Sequence, residues 1–268
     1  MEEEQNTAEW EAPPPPEKIV DTSEPAQMSE IETLGNIFFD PGKTFEDLKR
    51  KPRFIIGLII IAILTTAYVF ALNYKVGEEN TRRFVAEQID KSPQGQGLNA
   101  QQRNGAIEMN MTVGRVVRYV LPVFVIIFCL IGGLLYFLGA KAFGGTGGFF
   151  HGLSVFVYSS IPPAIVSSVI NAIVLVLKSP DDIDIAASQR GVVHASLSML
   201  IDGKAHPVLA TLFGMADLFL IWGWILAAIG LRITNKISSA SAWTLTIIFA
   251  VIGLLFKLLG AVFSGNPS

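Results

Sequence analysis

The sequence has little of what most chemistry needs. It holds one cysteine, Cys129, and three histidines, His151, His194 and His206. A lone cysteine inside an apolar block excludes a disulfide framework and a cysteine-based zinc site. Charged residues make up only 16% of 268 residues, where a soluble domain carries about 25%. With 51% hydrophobic residues and a mean hydropathy of +0.48, the chain does not read as a soluble enzyme. The N-terminus, Met1-Glu2-Glu3-Glu4, lacks the basic-then-apolar order of a secretory leader, and no signal peptide is expected. No His-Glu-x-x-His and no Gly-x-Ser-x-Gly occurs.

What is present is apolar sequence in blocks: 54–72, 119–138, 153–177, 208–231 and 243–263. Each holds at least 19 residues, and about 20 cross a bilayer as a helix. Backbone polar groups in lipid must bond to one another, so helices are the expected form. The expected fold is all-α: an integral membrane bundle of five transmembrane helices, occupying 54–263, with amphipathic interfacial helices and a disordered acidic tail.

Charge is divided along the chain. Residues 1–40 hold 11 of the 23 acids and a single base, Lys18, and the remainder carries 12 acids and 19 bases. Residues 1–28 are acidic and include Pro13-Pro14-Pro15-Pro16, which reads as a disordered tail. Its plain reading is a solvated chain. Its functional reading is a docking motif with Trp10, between Glu9 and Glu11, as the partner-binding candidate.

Residues 29–53 read as an interfacial segment. Ser29 and Glu32 fit a capping box ahead of Ile31, Leu34, Ile37 and Phe38 on one helical face. Asp40-Pro41-Gly42 breaks that helix, and Thr44 is expected to cap a second bearing Phe45 and Leu48. Ile31, Leu34, Phe38 and Phe39 are the expected membrane contacts. Lys49, Arg50, Lys51 and Arg53 are expected at the headgroup layer. Those bases precede the first span and favour a cytoplasmic N-terminus. Five crossings then put 264–268 on the outside. The outer segments are expected to carry helices at 82–91 and 99–118 that lie on the membrane or cap the bundle. A further helical stripe is expected at Val193, Leu197, Leu200 and Ile201, ended by Gly203.

Candidate chemistry is sparse. Glu78-Glu79-Asn80-Thr81-Arg82-Arg83 matches a short pattern of intramembrane prenyl-protein proteases, but that chemistry needs histidines within spans, and all three lie in or beside loops. Asp181, Asp182, Asp184, His194, Asp202 and His206 share one outer segment without a recurring ligand spacing. No metal, no cofactor and no catalytic residue is expected.

Polar residues inside spans are costly and therefore informative. Asp217 and Lys257 lie at similar depths in blocks four and five and are expected to pair and lock two helices, with a proton relay as the functional alternative. Pro162-Pro163 must kink or break block three. Ser159, Pro163, Ser167 and Asn171 recur every four residues, supplying groups for the backbone that the prolines free. Ser160, Ala164, Ser168 and Ala172 form a small stripe for close helix approach. A broken polar helix is also a transporter device, so a small-solute or ion transporter or channel stands as the alternative function.

The segment Phe38-Phe39-Asp40-Pro41-Gly42-Lys43-Thr44-Phe45-Glu46-Asp47-Leu48, with Pro52 and then a span, resembles the start of a Yip (Ypt-interacting protein) domain. The glycine-rich turn at 144–148 and Tyr158-Ser159-Ser160-Ile161-Pro162-Pro163 are similar to that family's later tyrosine–proline segment. The resemblance covers roughly 34–263 and implies five spans with a cytoplasmic N-terminus. Eukaryotic members reside in the endoplasmic reticulum and Golgi and bind prenylated Rab-type GTPases. Their Asp-Leu-Tyr-Gly-Pro segment is missing here, and the long outer segments look more like prokaryotic relatives of the plasma membrane. The resemblance thus implies a membrane scaffold or adaptor, not an enzyme. Its expected partners are the lipid bilayer, a protein held by the tail, and a second copy of the chain, with no nucleic acid.

Overall fold

The computed structural model describes residues 25–92, 95–188, 191–193, 195–203 and 205–264. Trp10 and the polyproline run lie outside the described residues, as does His194. Among the described residues nine α-helices follow in order: α1 (Glu30–Asn36), α2 (Pro41–Arg50), α3 (Ile55–Lys91), α4 (Ala100–Ala142), α5 (Phe149–Leu177), α6 (Ile185–Ser188), α7 (Pro207–Phe213), α8 (Leu218–Thr234) and α9 (Ser239–Ser264). Short 3₁₀ turns occupy Pro180–Asp182 and Leu197–Leu200. Among the described residues the extended pairing is a single bridge between Ser196 and Asp217.

Helices α3, α4, α5 and α9 are long and apolar enough to cross a membrane, whereas α8 is a shorter apolar helix. The expected fourth span therefore divides. Residues 207–213 form α7, a break follows at 214–217, and 17 residues remain in α8, about 25 Å against a hydrocarbon core of about 30 Å. Of the five expected spans, four are matched by helices of full crossing length and the fourth in order by the shorter α8, because hydropathy does not register the break at 214–217.

Two expected surface helices are extensions of spans. Helix α3 runs 37 residues and α4 runs 43, about 55 and 65 Å, so both outreach the bilayer. Gly77, at φ 80, bends α3 where the apolar block has given way to charge. Beyond it the two helices form a hairpin joined by ion pairs. Arg103 grips Asp90 with Nε and a terminal nitrogen at 2.7 and 2.6 Å, and Arg82 meets Glu108 at 2.5 Å. The Arg103 hydrogen bonds hold the Asp90 carboxyl below its usual range. Asn99 and Gln102 cap α4 reciprocally. Glu78 pairs with Arg115 at 3.6 Å, so the protease-like motif is part of this solvated hairpin. The Val193–Ile201 stripe is not helical as expected; it holds the short 3₁₀ turn instead.

Helix α5 is central and packs against α3, α4, α8 and α2. Glycines set the spacing. A Cβ on Gly152 would lie 2.7 Å from the Gly133 carbonyl oxygen and from the Phe137 amide nitrogen, so α4 and α5 touch backbone to backbone. A Cβ on Gly57 would meet Ile161 and Val157 at 2.7 Å, so α3 sits nearly as close. The outward faces of the long helices are rich in exposed Ile, Leu, Val and Phe, as lipid-facing helices are.

Candidate functional site: the N-terminal face of the bundle

The side chains that do most against expectation gather where α1, α2, the 143–148 turn and the α8–α9 connection meet. Helix α1 starts at the expected capping box: Ser29 Oγ accepts from the Glu32 amide at 3.2 Å, and Glu32 accepts from the Ser29 amide at 2.7 Å. That backbone bond holds the Glu32 carboxyl below its usual range. Helix α2 is capped by Asp40 and not by Thr44. The Asp40 carboxylate accepts from the Lys43 amide at 3.0 Å, which lowers its pKa, and Pro41 takes the first helical turn where its missing N–H costs nothing. Thr44 is buried within the helix and donates its hydroxyl to the Asp40 carbonyl at 3.1 Å.

The α1–α2 segment docks on the bundle. Ile37, Phe45 and Leu48 are buried, and the Phe45 ring lies over Gly230 of α8, where an added Cβ would approach it to 2.7 Å. Phe38 meets Trp222 edge-on at 6.2 Å, and Leu34 packs on the same core. Of the four expected membrane contacts, Ile31 and Phe39 are exposed while Leu34 and Phe38 face protein. The helical face was legible in sequence. What covers it was not.

Arg53 is the clearest correction to the expected headgroup cluster. Its guanidinium pairs with Asp47, and the two side chains are 10% and 1% exposed. Asp47 also accepts from the backbone amides of Gln27 at 2.5 Å and Met28 at 3.2 Å, and Arg53 donates to the Met28 carbonyl at 2.6 Å. The pair therefore clamps the chain just before α1. Lys49 bonds to Glu46 at 3.2 Å, Lys51 is exposed and Arg50 half-buried. His151, on α5, joins the assembly: its Nδ1 accepts from the Gly148 amide at 3.1 Å, which leaves Nε2 to donate to the Lys49 carbonyl at 3.1 Å.

The glycine-rich turn has a packing role. Gly144 holds φ 78, the Thr146 amide donates to the Asn235 carbonyl at 3.0 Å, and a Cβ on Gly147 would strike the Asn235 side chain at 2.4 Å. The turn thus ties α4–α5 to the end of α8.

The intramembrane polar residues are separate from this face. Pro162 and Pro163 are buried inside a continuous helix, so of the expected kink or break there is no break. Ser159 and Ser167 donate to the carbonyls of Phe156 at 3.0 Å and Ala164 at 3.2 Å, local back-bonds that neutralise their polarity. Gly223 of α8 sits over the Ser159 carbonyl, whose ordinary partner Pro163 removes. Asn171 is an anchor for the outer segment: its oxygen accepts from the Val193 amide at 2.8 Å and its amide donates to Ser167 at 2.8 Å. Asp217 is not in mid-helix. It is the N-cap of α8, accepting from Phe219 at 2.8 Å and Leu220 at 3.1 Å. Among the described residues no cluster of three metal-ligating side chains occurs.

The Asp217 geometry carries a test. Asp217→Ala is expected to cost about 1 kcal/mol, while Asp217→Asn stays near wild type because asparagine caps equally well. Thermal unfolding in detergent reads both, and an Asn variant as weak as Ala would show that the charge itself matters.

Sequence comparison agrees with this architecture. A family model for the Yip1 domain matches residues 35–261. The chain is 25% identical over 233 residues to the membrane protein YknW of Bacillus subtilis (strain 168), covering 86% of this chain and 90% of that one. No solved structure matches.

Proposed function

The chain belongs to the Yip1 domain family of multi-pass membrane proteins, and on that premise we propose that it acts as a scaffold that presents its acidic N-terminal segment to a cytosolic protein. The observation that supports this reading is the Asp47–Arg53 clamp on Gln27 and Met28. A buried ion pair is a costly way to hold a chain, since both ions lose their hydration. Here it grips backbone at the root of residues 1–24, which carry eight acids against Lys18 alone. A partner bound there is tethered to a fixed point on the bundle.

The bases of 43–53, directly before the first span, favour a cytoplasmic location for this face. The family's name makes a small GTPase the first partner class to try, and Trp10 the first contact residue.

The test is crosslinking and co-purification from native membranes with the full chain, a form lacking residues 1–24, and Trp10→Ala. The expected result is a partner recovered with the full chain and lost with both variants. Equal recovery from the truncated form would remove this segment from the mechanism.

A further inference from the structure

Helices α8 and α9 run antiparallel, and their connection, 235–238, lies on the N-terminal face. Between them is an open crevice of about 220 Å³, lined by Met215, Trp224, Trp243, Ile247, Ala250 and Leu254 among others. Thr246 also lines it, but its hydroxyl donates to the Ala242 carbonyl at 2.9 Å, so the lining offers no free polar group there. Trp243 to Leu254 spans eleven residues, about 16 Å along the helix. Trp243, Ile247 and Val251 are exposed, so the crevice opens sideways toward lipid. Its length and apolar lining suit a hydrocarbon chain lying along the helices.

Positive charge lies at the level of the slot's Trp243 end, where α8 finishes and α9 begins. Arg232, in the last turn of α8, and Lys236, in the connection, are both exposed. Neither forms an ion pair among the described residues, and no acidic residue follows Asp217 anywhere in the sequence. Lys236 also holds φ 55, a conformation that glycine or asparagine adopts at lower cost. Trp243 lies one helical turn below the start of α9, the level at which tryptophan rings favour the headgroup boundary.

We propose that this seam is a binding site for one anionic phospholipid, with an acyl chain in the crevice and the phosphate held by Arg232 and Lys236. An apolar slot alone would accept any lipid chain. Two exposed cations at the helix level of its Trp243 end, with no carboxylate beside them in sequence, would select a net negative headgroup over a zwitterionic one.

Native mass spectrometry of the full chain, purified in detergent and supplied with phosphatidylglycerol or phosphatidylcholine of equal chain length, tests this. Wild type is expected to retain one phosphatidylglycerol, about tenfold in preference to phosphatidylcholine. Arg232→Gln with Lys236→Gln removes the preference. Ala250→Phe fills the crevice and removes retention with both cations in place. Ile247→Trp, at an exposed position, serves the same purpose if Ala250→Phe does not fold. Equal retention of the two lipids by wild type would overturn the site. So would a crevice-filled variant that still holds phosphatidylglycerol, which would reduce the seam to a charged patch.

Discussion

Asp47→Ala is expected to destabilise the docked α1–α2 segment by about 3–5 kcal/mol, the usual cost of leaving one ion of a buried pair without its partner. The surroundings put the variant in that range. Arg53 is 10% exposed, so water cannot readily replace the lost carboxylate. The Gln27 and Met28 amides lose their acceptor at the same time. Arg53→Met leaves the carboxylate with those two amides and is expected to cost less. The double variant Asp47→Leu with Arg53→Met should be less damaging than the sum of the singles, because no charge is then stranded. Limited proteolysis of the detergent-solubilised protein, read at Lys49 to Arg53, measures the loosening directly. Wild-type resistance in Asp47→Ala would mean that Phe45, Leu48 and Ile37 hold the segment by themselves. In that event the tail could still bind a partner, but nothing would fix the partner's position.

Gly152→Leu is the second large effect. Its Cβ would stand 2.7 Å from the Gly133 oxygen and the Phe137 nitrogen, both of them backbone atoms. A side chain can rotate away from an intruder, but a helix backbone cannot. Overpacking an ordinary core costs about 1–3 kcal/mol, and here α4 and α5 must separate, so a loss of about 3 kcal/mol or outright misfolding is expected. Gly114→Ala supplies the opposite sign. An added Cβ there meets nothing within 4 Å, and alanine is the better helix former by about 0.8–1 kcal/mol. Thermal unfolding of the two variants in one detergent separates close packing from helix propensity. A tolerated Gly152→Leu would mean that the two helices do not touch at this point.

Read through these two effects, the division between local and long-range information is plain. The reciprocal Ser29–Glu32 cap spans three residues and was readable as sequence. The Asp47–Arg53 pair spans six, which matches no helical repeat, and its backbone partners lie about twenty residues upstream. Nothing in the spacing marks Arg53 as buried while Lys51 is exposed. The glycines at 144, 148 and 152 recur every four residues. In the fold they separate into a left-handed turn, a helix cap and a contact with Gly133.

The all-helical class, the membrane location and the family are determined by the sequence alone. A bilayer makes each spanning segment satisfy its own backbone, so a window of about 20 residues carries the information needed. Tertiary structure decided where polar groups act. Asp217 became a helix cap and not a mid-helix residue because the chain turns at Gly214. Asn171 became an anchor because the outer segment folds back to offer the Val193 amide. Arg53 left the headgroup layer because Asp47 lies within reach across the α2–α3 turn. These outcomes depend on distances between segments far apart in the chain, which hydropathy and periodicity do not encode.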